Sequence, residues 1–219
     1  MFVARRMKKM IVTAAPSASL FEAQRMMREH TIRQIPVISG DGTLLGIVSD
    51  RDIRAAVLPA GLVPGFTAGE AEKFMKSTPV ERVMTRKVVT ATLTDTLEDA
   101  IVLLRDFRVN ALPVVDGTGK IAGIITRTDV LEAFIDALGV GEVSSRLEVL
   151  VPDRPGMLAQ LAAIIGSFHV NITSVVSIRH EDGKRADFLR VATLNVGPIR
   201  KAIEEAGFEI LDPSKFLLS

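Results

Sequence analysis

The chain has 219 residues, 47% hydrophobic and 24% charged, the proportions of an ordinary globular protein rather than a disordered one. A net charge of +1, from 27 Lys and Arg against 26 Asp and Glu, gives no long-range field for nucleic acid or an anionic membrane, and ten Phe without Tyr or Trp leave little for base stacking. Without Cys there are no disulfides, thiolate nucleophiles or Cys-bound metals; no apolar run approaches the roughly 18 residues of a membrane span, and the basic opening MFVARRMKKM lacks a signal-peptide core, so a cytoplasmic location is expected.

From Arg5 to Ala56 the chain aligns without a gap on Arg82 to Ala133, 77 positions further on, with identities at Met7/Met84, Thr13/Thr90, Leu20/Leu97, Ala23/Ala100, Pro36/Pro113, Gly46/Gly123, Ile47/Ile124 and Asp52/Asp129. Each copy opens with a short apolar strand, IVT at 11–13 or VVT at 88–90. A helix follows, with Leu20, Ala23 and Met27, or Leu97, Ala100, Ile101 and Leu104, at helical spacing. IPVI and LPVV then read as strands with Pro near the start, GDG and GTG as tight turns, LLGIVS and IAGIIT as strands, and a second helix closes each unit. The order β-α-β-β-α leaves one sheet face half covered, so two such units are expected to pack about a pseudo-twofold axis. Boundaries follow at 1–58 for the first copy, 59–79 for a link that is rich in Pro and Gly and then helical, and 80–138 for the second copy.

The repeat contains SDRD at 49–52 and TRTD at 126–129, a hydroxyl residue three positions before Asp where a strand gives way to a helix. That spacing makes a capping box, in which Ser49 or Thr126 bonds a free first-turn N–H and Asp52 or Asp129 answers. The same groups suit a nucleoside phosphate: Asp can accept from both vicinal hydroxyls of a ribose, exposed N–H groups can hold phosphate, and Arg51 or Arg127 adds charge. Capping and ligand binding can share these residues. The copies differ in that Asp50 stands where the second has Arg127, and Arg51 where it has Thr128, which predicts unequal sites with the second better suited to phosphate.

VTA at 12–14 and 89–91, IPV at 35–37, LPV at 112–114 and the G-hydrophobic-x-S/T-x-x-D phrases at 46–52 and 123–129 resemble tandem cystathionine-β-synthase (CBS) domains, a Bateman module. The resemblance implies a cleft for an adenosine compound such as AMP, ADP, ATP or S-adenosylmethionine as a regulatory ligand, with no catalytic cofactor. It implies Asp52 and Asp129 on ribose, Ser49 and Thr126 on phosphate, and Thr13, Ile35, Val37, Thr90, Leu112 and Val114 as walls of the base pockets.

After a Gly- and Ser-rich linker at 139–146 the pattern changes. LEVLV is a strand, PDRPGML turns into a helix reaching Ser167, and VNITSVVSIRH is a strand with a hairpin turn at Asp182-Gly183. DFLRVATLNV is its partner, PIRKAIEEAG a helix stopped by Gly207, and FEIL a last strand. The order βαββαβ over 147–219 is ferredoxin-like. VPDRPGMLAQLAAII followed by HVNITSV resembles the ACT domain, which implies dimerisation and an amino acid bound at a dimer interface by Asp153, Gly156, Met157, Leu158, Asn171 and Ile172. Gly156 would let helix N–H groups approach a carboxylate; alternatively, Asp153 is the N-cap ahead of Pro155. Two CBS units and one ACT unit together resemble the AcuB-type acetoin-utilisation proteins in architecture alone.

The reading is therefore a cytoplasmic, homodimeric sensor of an adenosine ligand, acting on an unidentified protein. An enzyme is disfavoured, because His30, His169 and His180 lie in different elements without metal-ligand spacing, no nucleophile and base stand together, and GDGTLLG and GTGKIAG fit no phosphate-loop pattern. A non-binding dimerisation scaffold and a DNA-associated regulator remain as alternatives. The second rests on RRMKK at 5–9, whose side chains lie in sequence just before the first cleft and could reach phosphate there.

Overall fold

The computed structural model describes residues 1–61, 67–180 and 183–211, and the chain divides into two units, Met1–Leu131 and Glu132–Ser219. In the first unit Ser19 caps helix α1 (Leu20–Glu29): the Glu22 N–H donates to Ser19 Oγ at 3.2 Å, and the Ser19 N–H donates to the Glu22 carboxylate at 2.8 Å. The stripe Leu20, Ala23 and Met27 is buried against strands β1 (Gln34–Ile38) and β2 (Leu44–Ser49). Helix α2 (Asp50–Gly61) follows, and then α3 (Ala68–Ser77), which carries its own capping box, Thr67 with Glu70. α3 lies in the segment read as a link, yet Phe74 and Met75 pack on the first repeat's core.

The second repeat gives β3 (Ala91–Thr92), α4 (Leu97–Asp106), β4 (Ala111–Val115), β5 (Ile121–Thr126) and α5 (Arg127–Ala137), the last reaching into the second unit. The 77-residue offset holds in the register itself: Gln34 faces Ser49 as Ala111 faces Thr126, and both ladders slip at the same step, Val37/Ile38 and Val114/Val115. Thr43 and Lys120, equivalent residues in the two hairpin turns, bridge each other, which places them at the pseudo-twofold axis.

The strands expected at 11–13 and 88–90 do not form. Pairing starts one residue later, with a single parallel bridge from Ala14 to Val37 and with Ala91–Thr92 beside Val114–Val115. Proline is the reason. The Ala14 N–H donates to the Pro36 carbonyl and the Ile38 N–H donates to Ala14, but the preceding rung needs an N–H at position 36, which Pro36, like Pro113, lacks.

The copies exchange their leading segments. Residues 1–8 lie on the second repeat, with Val3 N–H to Asp95 O at 2.8 Å, Leu97 N–H to Met1 O at 2.8 Å, and Lys8 paired by two bonds with Ile124. Residues 78–85 make the equivalent bonds to the first: Val80 to Ala18, Leu20 to Thr78, and Thr85 paired with Ile47. Short 3-10 turns, Val3–Arg5 and Val80–Arg82, seat a fully buried Val in each case. The crossing explains the repeated glycine: a Cβ at Gly46 would stand 2.5 Å from Met84 Sδ, and one at Gly123 2.8 Å from the Lys8 carbonyl oxygen.

The second unit has β6 (Ser145–Pro152), α6 (Met157–Ser167), β7 (Ile172–Arg179), β8 (Lys184–Val191), α7 (Gly197–Glu205) and β9 (Glu209–Ile210) in one antiparallel sheet of order β7-β8-β6-β9, the ferredoxin-like arrangement. Leu147, Val149, Val151, Leu161, Ile165, Leu189, Ile199 and Ile203 fill its core. β8 ends at Val191, short of the expected Val196. The Ala192 N–H still donates to the Asn171 carbonyl, the next pair in register, but the Thr193 N–H turns back to the Val191 carbonyl at 2.7 Å and the chain leaves the ladder. Gly183 occupies the hairpin with φ of +66°; Asp182, the other half of that expected turn, lies outside the described residues.

Candidate functional site

Both repeated phrases fold as strand-to-helix junctions. Asp52 Oδ2 accepts from the Ser49 N–H at 2.8 Å and from Ser49 Oγ at 2.6 Å, while the Asp52 N–H donates to Ser49 Oγ at 3.2 Å. Asp129 and Thr126 repeat these contacts at the same distances. The carboxylate is thus held by one oxygen at the positive end of a helix, leaving Oδ1 outside the cap.

The two Oδ1 atoms differ. Among the described residues Asp52 Oδ1 carries no hydrogen bond or ion pair. Asp129 Oδ1 lies 3.1 Å from Lys8 Nζ, and Asp129 is 5% exposed. Lys8 therefore serves the second copy. Its expected place beside the first cleft is corrected, because the leading segment crosses over. The signal available in the sequence was that Lys8 aligns with Thr85, a change of charge inside the repeat.

The arginines divide as well. Arg51 is exposed without a partner among the described residues. Arg127, expected on phosphate, donates Nε to the Val109 carbonyl at 3.0 Å and Nη2 to the Leu104 carbonyl at 3.1 Å, neutralising the C-terminal end of α4. Asp50, its counterpart, pairs with Arg54 at 2.8 Å.

The four apolar wall candidates are placed in the core. Ile35, Val37, Leu112 and Val114 have no exposed surface, and Ile35 and Val37 pack with Leu20, Ala23 and Met27. β1 buries three successive residues and β4 four, so the side chains that the IPV and LPV phrases supply are enclosed on both faces. Thr13 and Thr90 remain half-buried. Thr13 opens on a depression of about 500 Å³ with Ser17, Glu22 and Arg25, and a second of about 350 Å³ gathers Arg28, Arg33, Asp50 and Arg54. Neither is lined by Ser49 or Asp52.

In the second unit Gly156, at φ of +92°, is itself the N-cap of α6 with open space beside it. Asp153 is not the cap: its carboxylate faces Arg185 at 3.7 Å. Met157 is 5% exposed and belongs to the core, whereas Leu158 is 45% exposed. Asn171 is exposed and Ile172 half-buried. The register separates these candidates. Ile172 pairs with Val191 at the level of Ser145, while the 153–156 loop follows Pro152 at the other end of β6, seven residues or roughly 23 Å away. One chain does not bring the two halves together.

A β-α-β-β-α repeat doubled about a pseudo-twofold axis, with capped Asp residues at the α2 and α5 junctions, is the form of a CBS pair. The CBS-domain model matches residues 3–59 and 80–136, more than half of the chain, and the chain belongs to that family; the ACT-domain model matches residues 145–208. A functionally uncharacterised protein of Methanocaldococcus jannaschii is 37% identical over 149 residues, covering 59% of this chain and 88% of that one. Among solved structures, CBSX2 in complex with AMP is 30% identical with a TM-score of 0.51, covering 62% of this chain and 96% of that one. A CBS-domain pair in complex with 5-methylthioadenosine and S-adenosyl-L-methionine is 25% identical with a TM-score of 0.51, covering 61% and 95%. Three relatives with enzyme names are matched over 55–56% of this chain and about a fifth of their own length, and an inosine-5'-monophosphate dehydrogenase of Korarchaeum cryptofilum over 78% of this chain and 32% of its own.

Proposed function

We propose that this chain is a non-catalytic sensor that binds an adenosine compound at Asp52 and Asp129, with Ser49 and Thr126 beside the phosphate or its replacement. The observation that carries the reading is the arrangement of each Asp at a helix N-terminus: one oxygen is fixed by the preceding hydroxyl residue and the other stays outside the cap, an acceptor suited to a ribose diol. Two similar CBS pairs whose structures hold AMP, or 5-methylthioadenosine and S-adenosyl-L-methionine, support the ligand class. Isothermal titration with AMP, ADP, ATP and S-adenosylmethionine tests it. Binding that weakens in Asp52→Ala or Asp129→Ala by the roughly 1.5–3 kcal/mol of lost charge-assisted hydrogen bonds supports it, and no heat from any ligand overturns it.

In the same proposal the ACT domain makes a homodimer and takes an amino acid between chains. Gly156 and Leu158 would come from one copy and Asn171 from the other, since one chain holds them at opposite ends of its sheet. The regulated partner is a separate protein, the compartment the cytoplasm, and the domain order that of the AcuB-type proteins.

A further inference from the structure

The two candidate sites are equivalent in backbone and unequal in charge. Lys8 and Thr85 occupy the same place: each is the residue at which the exchanged segment pairs with the strand leading to the Asp, Lys8 with Ile124 at 2.9 and 3.0 Å, Thr85 with Ile47 at 2.9 and 3.0 Å. That pairing fixes the Lys8 main chain beside β5 and aims the ammonium at Asp129 Oδ1, 3.1 Å away. Asp129 Oδ2 is already taken by Thr126, so the oxygen a ribose would need is the one paired with Lys8. Arg127 is committed to the carbonyls of Leu104 and Val109, and among the described residues the cation paired with Asp129 is Lys8. Among the described residues the first junction has no counterpart to this ion pair, since Thr85 is neutral and the nearby Asp50 adds a carboxylate paired with Arg54.

Resting on the function proposed above, we infer that Lys8 is the specificity-determining residue of the second site, making it select adenosine ligands that carry an anion over neutral or cationic ones. A diol that reaches Asp129 must share or displace the ammonium. A neutral nucleoside offers the displaced charge nothing in return, and a sulfonium repels it, whereas a phosphate on the same ribose gives it a new partner while the segment stays in place. The first site, with neutral Thr85 in the place of Lys8, lacks this ion pair on its Asp, and Arg51 is the cation that its own phrase supplies.

The test is calorimetric titration of the full chain carrying Asp52→Ala, which leaves the second site, with AMP, adenosine and S-adenosylmethionine in turn. Lys8→Met is then added to remove the charge and Lys8→Arg to keep it. Lys8 is 63% exposed, so neither substitution removes core, and a thermal melt checks that each variant folds. The expected result is a preference for AMP over adenosine that falls about tenfold in Lys8→Met, the size of one charge-assisted hydrogen bond, and survives in Lys8→Arg. The same preference should weaken with added salt. Binding in which AMP and adenosine change in parallel, or in which Lys8→Met leaves their ratio intact, overturns the role of Lys8 alone. An Asp52→Ala protein that binds neither ligand, while the unmutated chain binds them, also overturns it. No binding to the unmutated chain overturns the proposed function together with it.

Discussion

Substituting Gly123 by Ala places a Cβ 2.6 Å from Met7 Sδ and 2.8 Å from the Lys8 carbonyl oxygen. The sulfur ends a flexible side chain and can swing away. The carbonyl cannot, because it accepts the Ile124 N–H at 3.0 Å while the Lys8 N–H donates to Ile124 at 2.9 Å. Ordinary contact begins at 3.4 Å, so the two backbones must part by about 0.6 Å and both bonds lengthen. Overpacking of this kind costs about 1–3 kcal/mol and each weakened bond up to about 1 kcal/mol, giving about 2–4 kcal/mol in all. At about 3 °C per kcal/mol the melting temperature should fall by about 6–12 °C. Far-UV circular dichroism is the assay, since the chain has no Tyr or Trp to report by fluorescence. Gly117→Ala, where a Cβ meets nothing within 4 Å and φ is not positive, is the control and should stay within about 0.5 kcal/mol of the unmutated chain. Adding Met7→Ala should recover little of the loss at Gly123. At Gly46 the tight contacts are with Met84 Sδ at 2.5 Å and Cγ at 2.9 Å, the backbone oxygen of Thr85 being 3.0 Å away, so a Gly46→Ala/Met84→Ala cycle should show the larger coupling. A Gly123→Ala protein that melts with the unmutated chain would refute the claim that the crossing segment dictates this glycine.

In the second unit, Asp187 is 3% exposed and accepts from Ser177 Oγ, which also receives Arg185 Nε at 2.7 Å. Ser177→Ala strips a buried carboxylate of that donor and should cost about 2 kcal/mol in urea unfolding; an unchanged midpoint would mean that Asp187 finds its partner elsewhere. Acid should weaken the first unit through its caps. Hydrogen bonds from Ser19, Thr67 and Thr96 hold the carboxyls of Glu22, Glu70 and Asp99 below their ordinary values of 4.5, 4.5 and 3.8, and those from Ser39 and Thr43 hold Asp41 down to about 2. A lowered folded value means that the contribution is complete above the ordinary value and is lost as the pH falls through the folded one. The melting temperature should thus be level above pH 4.5 and decline below it, and more shallowly in Glu22→Gln/Glu70→Gln/Asp99→Asn, which is less stable at neutral pH to begin with. Parallel declines in the two proteins would exclude the caps as the cause.

What was legible in the sequence is what repeats or has local period. The 77-residue offset returns as hairpin register, and Leu20, Ala23, Met27, Leu97, Ala100 and Leu104 are buried where helical spacing puts them. The S/T-x-x-D phrases fix a cap four residues long, so local spacing suffices to place Ser49, Asp52, Thr126 and Asp129. Three features were beyond that reach. The truncation of the first strands depends on which proline N–H a partner strand would have needed, a matter of pairing rather than of propensity. The apolar phrases IPV and LPV look the same whether a side chain lines a pocket or a core, because burial on both faces comes from elements elsewhere in the chain. The segment exchange joins Val3 to Asp95 and Thr85 to Ile47, contacts with no periodic signature; the identities Met7/Met84 and Gly46/Gly123 hold its trace, but they show that the copies agree and not that Met of one copy rests on Gly of the other.

That exchange bears on how a ligand would be felt. Residues 1–8 do two things on the second repeat: the Met1 carbonyl satisfies the Leu97 N–H, one of the first-turn donors of α4, and Lys8 closes on Asp129 at the start of α5. Residues 78–85 satisfy the Leu20 N–H of α1 in the same way through Thr78, but end at Thr85 with no charge to give. Each junction that presents an Asp is therefore edged by a strap from the other copy, and the strap is pinned at its far end to a helix N-terminus. In the second copy the ion pair ties the two ends of that strap to two helices at once. In the function proposed, a ligand that moved Lys8 would pull on a segment already bonded to α4, whereas one at Asp52 would meet no such ion pair. The copies are alike in fold and differ at the one position, 8 against 85, where a side chain crosses from the strap to the carboxylate.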